Sequence, residues 1–413
     1  MSTQAKRGPL VGMRVLDLSH VMAGPVCGLM LADMGADVIK IENTEIGDTS
    51  RQMRTPSIKG QSAAFMMMNR NKRGLAVDLK RPEGQQVLKR LARSADVLIE
   101  NYRKGTMEKL GVGYDVLAKI NPGLIYCEIS GFGRTGPFAD HGGFDLVAQG
   151  MSGVMSITGE GPGRPPVKTG PPITDITAGL LSAMGVAAAY AHKLKTGQGQ
   201  RVDTSLFEAG ITQTYWQSAI ALATGVSPGP LGSAHPLNGP YQAFETKDGW
   251  LNLGAANQKT WLAFLGVIEA PQLAKDPRFL DNAARMANLP ELIALLSSYF
   301  RERTTAEWLA LFEKAGVPGG PVLSITEMHA HPQTQARDMV PAVEHTVVGT
   351  VRTLGLPVKF SATPGSVGKG APVLGEHSRD ILAEAGYSPR EIDDLIKDGA
   401  VAEPPRPPET EKQ

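Results

Sequence analysis

The 413-residue chain has only two cysteines, Cys27 and Cys127, far apart in apolar surroundings and outside any CxxC or Cys/His spacing. A disulfide framework and a structural zinc site are both disfavoured. An excess of charge of one sign is missing too: 42 Lys and Arg stand against 41 Asp and Glu, a formal net charge of +1. Without a long-range field to draw nucleic acid or an anionic membrane, any anion must be held by local groups. No run reaches the ~18 apolar residues that span a bilayer; the best candidate, residues 179–190, is short and rich in Ala and Gly. The opening MSTQAKRGPLVG carries no apolar signal core, so a reducing, cytoplasmic location is expected. HExxH, clustered carboxylates and a GxSxG elbow are absent, so neither a metal site nor a serine nucleophile is expected.

What is present is a long chain, and at roughly 150 residues per domain it allows two or three domains with a large core. The 47 Gly and 30 Pro fall mostly between apolar segments, as turns would. Runs at 13–18, 36–42, 74–79, 96–101 and 124–130 read as strands buried on both faces. Helical spacing lies between them at 25–34, 82–95 and 114–120, then in a long Ala/Gly-rich helix at 176–196 before a strand at 200–205. That alternation predicts a doubly wound α/β sheet.

Residues 206–240 read as a linker, richest in Pro, Gly and Ser over 226–240. A hairpin over 241–253 and helices at 259–267, 290–300 and 305–315 suggest a second, smaller domain over 241–317. Residues 318–400 then turn extended before a last helix at 378–385, and 401–413 read as a disordered tail. The large domain is thus expected over 1–205 and again over 318–400.

The first strand-turn-helix, residues 18–25, lies where a dinucleotide loop would, with Glu42 ending the next strand about 20 residues on. The glycine pattern GxGxxG is not met, and Pro25 removes an N–H that could face a pyrophosphate. Glu42 therefore reads as a solvated strand end and His20 as a hydrogen-bonded turn residue. Arg70, Lys72, Arg73, Lys80 and Arg81 could hold phosphates or form a solvated face. Asn101-Tyr102-Arg103-Lys104-Gly105 follows a strand at its carboxyl end, where open α/β sheets bind ligands. Asp175 sits where a loop enters an apolar helix, either as an ordinary N-cap or as a nucleophile tuned by the helix end and desolvation.

Several strings together resemble the class III CoA-transferases, the formyl-CoA and carnitine CoA-transferase (CaiB/BaiF) family. They are Gly12-Met13-Arg14-Val15-Leu16-Asp17, His20-Val21-Met22-Ala23-Gly24-Pro25, residues 35–42 (GADVIKIE), Asn71-Lys72-Arg73-Gly74, residues 96–102 (DVLIENY), residues 195–200 (KTGQGQ) and Leu374-Gly375-Glu376-His377. The resemblance implies a Rossmann-like large domain with an inserted smaller α+β domain, and two subunits interlocked as a homodimer. It implies coenzyme A as substrate, with no permanently bound cofactor. Asp175 matches the family's catalytic aspartate, which carries the acyl group as a mixed anhydride and then CoA as an aspartyl thioester. The CoA-contacting positions resemble Val21, Met22, Ala23, Val77, Lys80, Asn101, Tyr102, Arg103 and Lys109, with Lys80 and Arg103 as phosphate partners and Asp145 orienting groups near Asp175.

Two departures bear on the substrate. Met22 stands where formyl-CoA transferase has glutamine, and Leu237-Asn238-Gly239-Pro240 stands in place of its glycine run, which disfavours oxalate and formate. The expected activity is transfer of CoA from an acyl-CoA to a free carboxylic acid, with a dicarboxylyl donor such as succinyl-CoA, whose distal carboxylate Arg51 or Arg54 could hold. The alternative is proton transfer as in the related 2-methylacyl-CoA racemases, which use a Gly-His-Asp string. Here that string is Gly143-Phe144-Asp145, with His141 offset by three positions.

Overall fold

In the computed structural model, which describes residues 8–53 and 55–404, the apolar runs of the first half form strands largely buried on both faces, joined at one edge by a more exposed strand, Arg201–Ser205. These are β1 (Arg14–Asp17), β2 (Asp37–Glu42), β3 (Arg73–Val77), β4 (Val97–Glu100), β5 (Ile125–Ser130) and β6 (Arg201–Ser205). They lie parallel in the order β3-β2-β1-β4-β5-β6. Alternate residues point to opposite faces. Leu16, Ile39, Leu75, Leu98 and Tyr126 pack with Val87, Leu88 and Leu91 of α2 (Pro82–Ala92) and with Ile381 and Ile392 near the C-terminus. Val15, Val38, Val97, Ile125 and Cys127 pack on the other side, against α1 (Ala23–Asp33) and α4 (Ile173–Thr196). The mixed α/β class with a parallel-dominated sheet is as expected.

The described residues form two compact units. One comprises the residues up to Ser152, Gly170–Gln213 and those from Pro332 onward; the other comprises Gly153–Thr169 and Thr214–His331. The second unit has a three-stranded antiparallel sheet of β7 (Tyr241–Glu245), β8 (Trp250–Gly254) and β9 (Gly319–Pro321). Its core is aromatic, with Trp261, Phe264, Phe300, Trp308 and Phe312 buried together.

Several expectations are corrected. Residues 206–225 are largely helical, as Leu206–Ile211 and Tyr215–Thr224, because apolar residues recur there at helical spacing; only residues 226–240 lack regular structure. The second unit continues past 317 to His331 through the short helix Ile325–Ala330, started by a Ser324/Glu327 capping box. A second C-terminal helix, Pro389–Lys397, begins at a Ser388/Glu391 capping box. Val401–Ala402, expected in the tail, adds an antiparallel strand beside β3. Residues 405–413 and Arg54 lie outside the described residues. The helix α4 is long and apolar enough to cross a membrane by length and composition, yet one face of it, with Ala178, Ala183, Val186 and Ala189, is buried in the core.

Charge is buried beneath β1 and β2. Lys72 Nζ bonds Asp17 Oδ2 at 2.8 Å and also donates to Pro25 O at 2.9 Å and Asn69 Oδ1 at 2.8 Å. Lys40 Nζ pairs with Asp48 Oδ2 at 2.9 Å and donates to Ser19 O. Arg51 forms a bidentate pair with Glu42, both bonds 2.7 Å, and donates to Pro372 O at 3.0 Å. Burial opposes ionisation of Asp17 and Asp48, yet Lys72 and Lys40 respectively hold the two carboxyls below their ordinary range. Glu42 is therefore a buried ion-pair member and not a solvated strand end. Arg51, already committed to Glu42, is not available for a substrate carboxylate.

The cationic run likewise holds structure together. Arg70 is buried against Asp33 at 2.6 Å, and Arg73 bridges Asp37 and Glu384 at 2.6 and 2.7 Å. Removing one partner from such a pair leaves an uncompensated buried charge, costing about 3–5 kcal/mol. Lys72→Met should therefore lower unfolding stability by that order in denaturant titrations, and adding Asp17→Asn should recover most of the loss. Equal stability of Lys72→Met and the parent would contradict this reading of the network.

Candidate active site

The strand order reverses around β1, whose successor β2 lies on one side and β4 on the other. The crevice beyond the carboxyl ends of strands at such a switch point is the usual ligand site of an open α/β sheet. A cleft of about 400 Å³ lies there, lined by the 20–23 turn after β1, the 101–104 loop after β4, the 129–134 segment at the end of β5, residues 139–144 and Asp175.

The turn after β1 is held in an unusual shape. Val21 adopts φ +65°, a region that β-branched residues rarely occupy. Its N–H donates to both Asp48 oxygens, at 3.0 and 3.2 Å, so the Lys40–Asp48 pair supplies the acceptor that keeps it there. From the other side Asn101 clasps the neighbouring peptide groups: His20 N–H donates to Asn101 Oδ1 at 2.8 Å, and Asn101 Nδ2 donates to His20 O at 2.9 Å. The Tyr102 hydroxyl lies 3.2 Å from His20 Nε2. Burial and nearby Lys40 lower the His20 pKa, which favours the neutral ring.

Asp175 reaches the cleft because α4 packs closely on α1. A Cβ at Gly179, one helical turn beyond Asp175, would lie 2.6 Å from Ala23 O and 2.8 Å from Val26 Cβ. Only glycine permits that approach. The helix starts at Ile173, earlier than expected, and its N-cap position is Pro172, so Asp175 stands in the first turn and is not the N-cap.

The capping acceptor comes from elsewhere in the chain. Asp145, at the start of α3 (Asp145–Met151), takes the Thr174 N–H at 3.0 Å and the Thr174 hydroxyl at 2.7 Å on Oδ1. Its Oδ2 accepts from Gln149 at 2.7 Å. Among the described residues no side chain or backbone N–H donates to the Asp175 carboxylate. Burial, with a smaller contribution from the Asp145 charge, raises the Asp175 pKa from 3.8 to about 6. Two neighbouring carboxylates thus have opposite environments, one accepting three hydrogen bonds and one desolvated and uncapped.

Of the residues singled out from sequence, Val21, Met22, Ala23, Asn101, Tyr102, Arg103 and Asp175 line this one cleft. Asp145 stands beside Asp175 without lining it. The Val77 side chain is buried in the core and does not line the cleft, while Lys80 and Lys109 are exposed outside it. His141 lines the cleft and packs on Phe138, ring centroids 4.7 Å apart. Phe144 is 77% exposed at the rim.

Lys104, in the segment singled out after β4, also lines the cleft, whereas Arg134 and the close contact of Gly131 with Gly143 are not legible in the sequence. A Cβ on Gly131 would come within 2.6 Å of Gly143 Cα, and one on Gly143 within 2.4 Å of Gly131 Cα, so the two loops touch backbone to backbone. The carboxyl-end rule that marked residues 101–105 would also have marked residues 131–134 after β5.

Comparisons agree with this architecture. CoA-transferase family III matches residues 10–378. The succinate–glutarate CoA-transferase of Agrobacterium fabrum is 40% identical over 92% of this chain and 96% of its own length. The succinyl-CoA:glutarate CoA-transferase of Mus musculus is 37% identical over 95% of this chain and 90% of its own. The crystal structure of a CAIB/BAIF family protein from Brucella suis, 38% identical, superposes with a TM-score of 0.82 over 92% of this chain and 100% of that one. With a parallel sheet whose switch-point cleft carries an uncapped aspartate, and with a family match over nearly its whole length, the chain belongs to CoA-transferase family III and is a CoA-transferase.

Proposed function

We propose that this enzyme moves CoA from a dicarboxylyl-CoA such as succinyl-CoA to a second carboxylic acid, with Asp175 as the covalent carrier. The observation that carries the proposal is the environment of that carboxylate: desolvated, without a hydrogen-bond donor among the described residues, and beside the Asp145 carboxylate, which repels its charge. Its raised pKa makes it a stronger base and nucleophile while leaving it mostly ionised at neutral pH. The relatives named for glutarate and succinate support the dicarboxylate class.

In this scheme an Asp175 oxygen attacks the thioester carbonyl, giving a mixed anhydride and releasing CoA thiolate. The thiolate attacks the Asp175 carbonyl of the anhydride, expelling the donor as a free carboxylate and leaving an aspartyl-CoA thioester. The acceptor carboxylate attacks that thioester, forming a second anhydride and releasing the thiolate again. Attack of the thiolate on the acceptor carbonyl then gives the new acyl-CoA and restores Asp175. Every leaving group is a thiolate or a carboxylate, so no proton has to be supplied. Water is the competitor, and Val21, Met22 and Ala23 contribute apolar side chains to the cleft wall.

CoA would lie against the 21–23 turn and the Asn101–Arg103 loop. Arg103 is exposed and forms no ion pair among the described residues, which suits a phosphate partner; the exposed Lys80 and Lys109 could meet the part of CoA that extends beyond the cleft. Racemisation is not favoured, because Phe144 stands where that chemistry needs a histidine and phenylalanine exchanges no proton. A reducing compartment would keep the buried free thiols Cys27 and Cys127 reduced.

We also place the enzyme as an interlocked homodimer. On α4, Met184 is 65% and Leu194 70% exposed; on the helix Tyr215–Thr224, Tyr215 is 75% and Leu222 88% exposed. Such apolar surface is rarely left to water. Sedimentation should give a dimer, and Leu222→Glu combined with Met184→Glu should weaken it; a monomeric parent would contradict the assignment.

Hydroxylamine quenching during turnover should yield a hydroxamate at Asp175, and Asp175→Ala should abolish both adduct and transfer while retaining CoA binding. The acid limb of kcat/KM should fall as pH drops through about 6, where Asp175 takes up a proton. Asp145→Asn removes the neighbouring negative charge and should move that limb to lower pH. Turnover with an unmodified Asp175, or a limb unmoved by Asp145→Asn, would contradict the scheme.

A further inference from the structure

Beneath the 101–104 loop lies a second buried ion cluster that the transfer chemistry does not use. Glu100, at the carboxyl end of β4 and 3% exposed, accepts the Tyr102 N–H on Oε2 at 2.7 Å and Arg134 Nη2 on Oε1 at 2.7 Å. Arg134 Nη1 donates to the Tyr102 carbonyl at 3.1 Å. Both peptide groups of Tyr102 are therefore held, one by Glu100 directly and the other by the guanidinium that Glu100 orients. Arg134 is fixed in turn by Glu128 on β5, 3.2 Å from its Nε, and by Asp203 on β6, which accepts the Arg134 N–H at 3.0 Å. From Tyr102 the constraint continues through the Asn101 clasp and the tyrosine hydroxyl to His20, next to the left-handed Val21.

We propose that Glu100 and Arg134 are positioning residues that set the affinity for CoA by fixing the Asn101–Arg103 loop, and through it the turn after β1, in the shape that accepts the thioester substrate. The proposal rests on CoA occupying this cleft. Arg134 cannot readily serve as a phosphate ligand, because its charge is already met by two buried carboxylates. Its bidentate geometry, spanning a carboxylate and a carbonyl, is one that lysine reproduces only in part.

The clamp has a titratable member. Burial raises the Glu100 pKa to about 7, with Glu128 pushing further up and Arg134 and the Tyr102 N–H pulling back. The other ionisable groups around the cluster are Tyr126 on β5, Arg201 and Asp203 on β6, and Glu108. Glu100 is charged above about 7, where it pairs fully with Arg134, and is neutral below, where that attraction is lost. CoA binding should therefore weaken as pH falls through neutrality, independently of Asp175.

The test is titration calorimetry of CoA into the full-length enzyme at pH about 6 and about 8, with KM and kcat measured alongside. CoA's own phosphate titrates near 6, so the readout is the difference between parent and variant across pH. Arg134→Gln should weaken CoA binding about tenfold, equivalent to about 1.4 kcal/mol, and raise KM far more than it lowers kcat. Arg134→Lys should recover part of the loss, and Glu100→Gln should flatten the extra pH dependence. Should Arg134→Gln unfold early, the isosteric Glu100→Gln decides alone. Parent-like affinity and pH dependence in these variants would overturn the clamp. Met22→Trp separates the two readings: it should block the cleft and abolish CoA binding. If it does not, the CoA site is misplaced; if it does while the clamp variants bind as the parent does, only the clamp is wrong.

Discussion

The structure of the site depends on keeping Val21 in a conformation that a β-branched residue avoids. The Asp48 carboxylate that accepts its N–H is itself held by Lys40, fully buried, whose ammonium also reaches Ser19 O. Asp17 and Lys72 fix the end of β1 and the first turn of α1 from beneath. Buried charge is costly unless every member is paired and hydrogen-bonded, and here each pair also bonds the backbone of the turn. The polar network is thus spent on shape: it aims the turn that begins α1 at the cleft and leaves the surface of that turn apolar.

A second constraint, close packing of α4 on α1 at Gly179, brings Asp175 to that turn. The division of labour between the two aspartates then follows from hydrogen bonding. Asp145 receives the donors that an N-cap would normally take, so Asp175 is left with desolvation and a like-charged neighbour. An aspartate with several donors would be a weak base and a poor carrier; one with none is stronger and pays in native-state stability when ionised. The Asp175 environment is what a group that must attack a thioester requires.

Much of this was legible in the sequence, and the reasons are physical. Strands buried on both faces read as continuous apolar runs, so β1 to β5 are legible to within a residue or two. The position of Asn101–Arg103 after a strand placed it in the cleft by topology alone. Short helices such as Asp145–Met151 and Tyr215–Thr224 are not legible, the latter because its apolar residues, all outside the core, lie next to a Pro/Gly-rich stretch. Lys72, Arg70, Glu42 and Arg51 read as surface or ligand groups because a sequence shows charge without showing which partner lies across the sheet; Asp17, Asp33 and the Glu42–Arg51 pairing supply those partners only after folding. The start of α4 before Asp175 was likewise hidden, since the capping acceptor comes from Asp145, 29 positions away.

The most direct measurement follows oxygen. Turnover is run with an acceptor acid labelled with 18O in its carboxylate, and the peptide containing Asp175 is weighed after quenching. Transfer through Asp175 leaves one acceptor oxygen in that side chain at each turnover and passes it to the released donor acid in the next cycle. The account predicts label in Asp175 and then in the donor acid; label confined to the acceptor and its CoA ester, with Asp175 and the donor unlabelled, would contradict it.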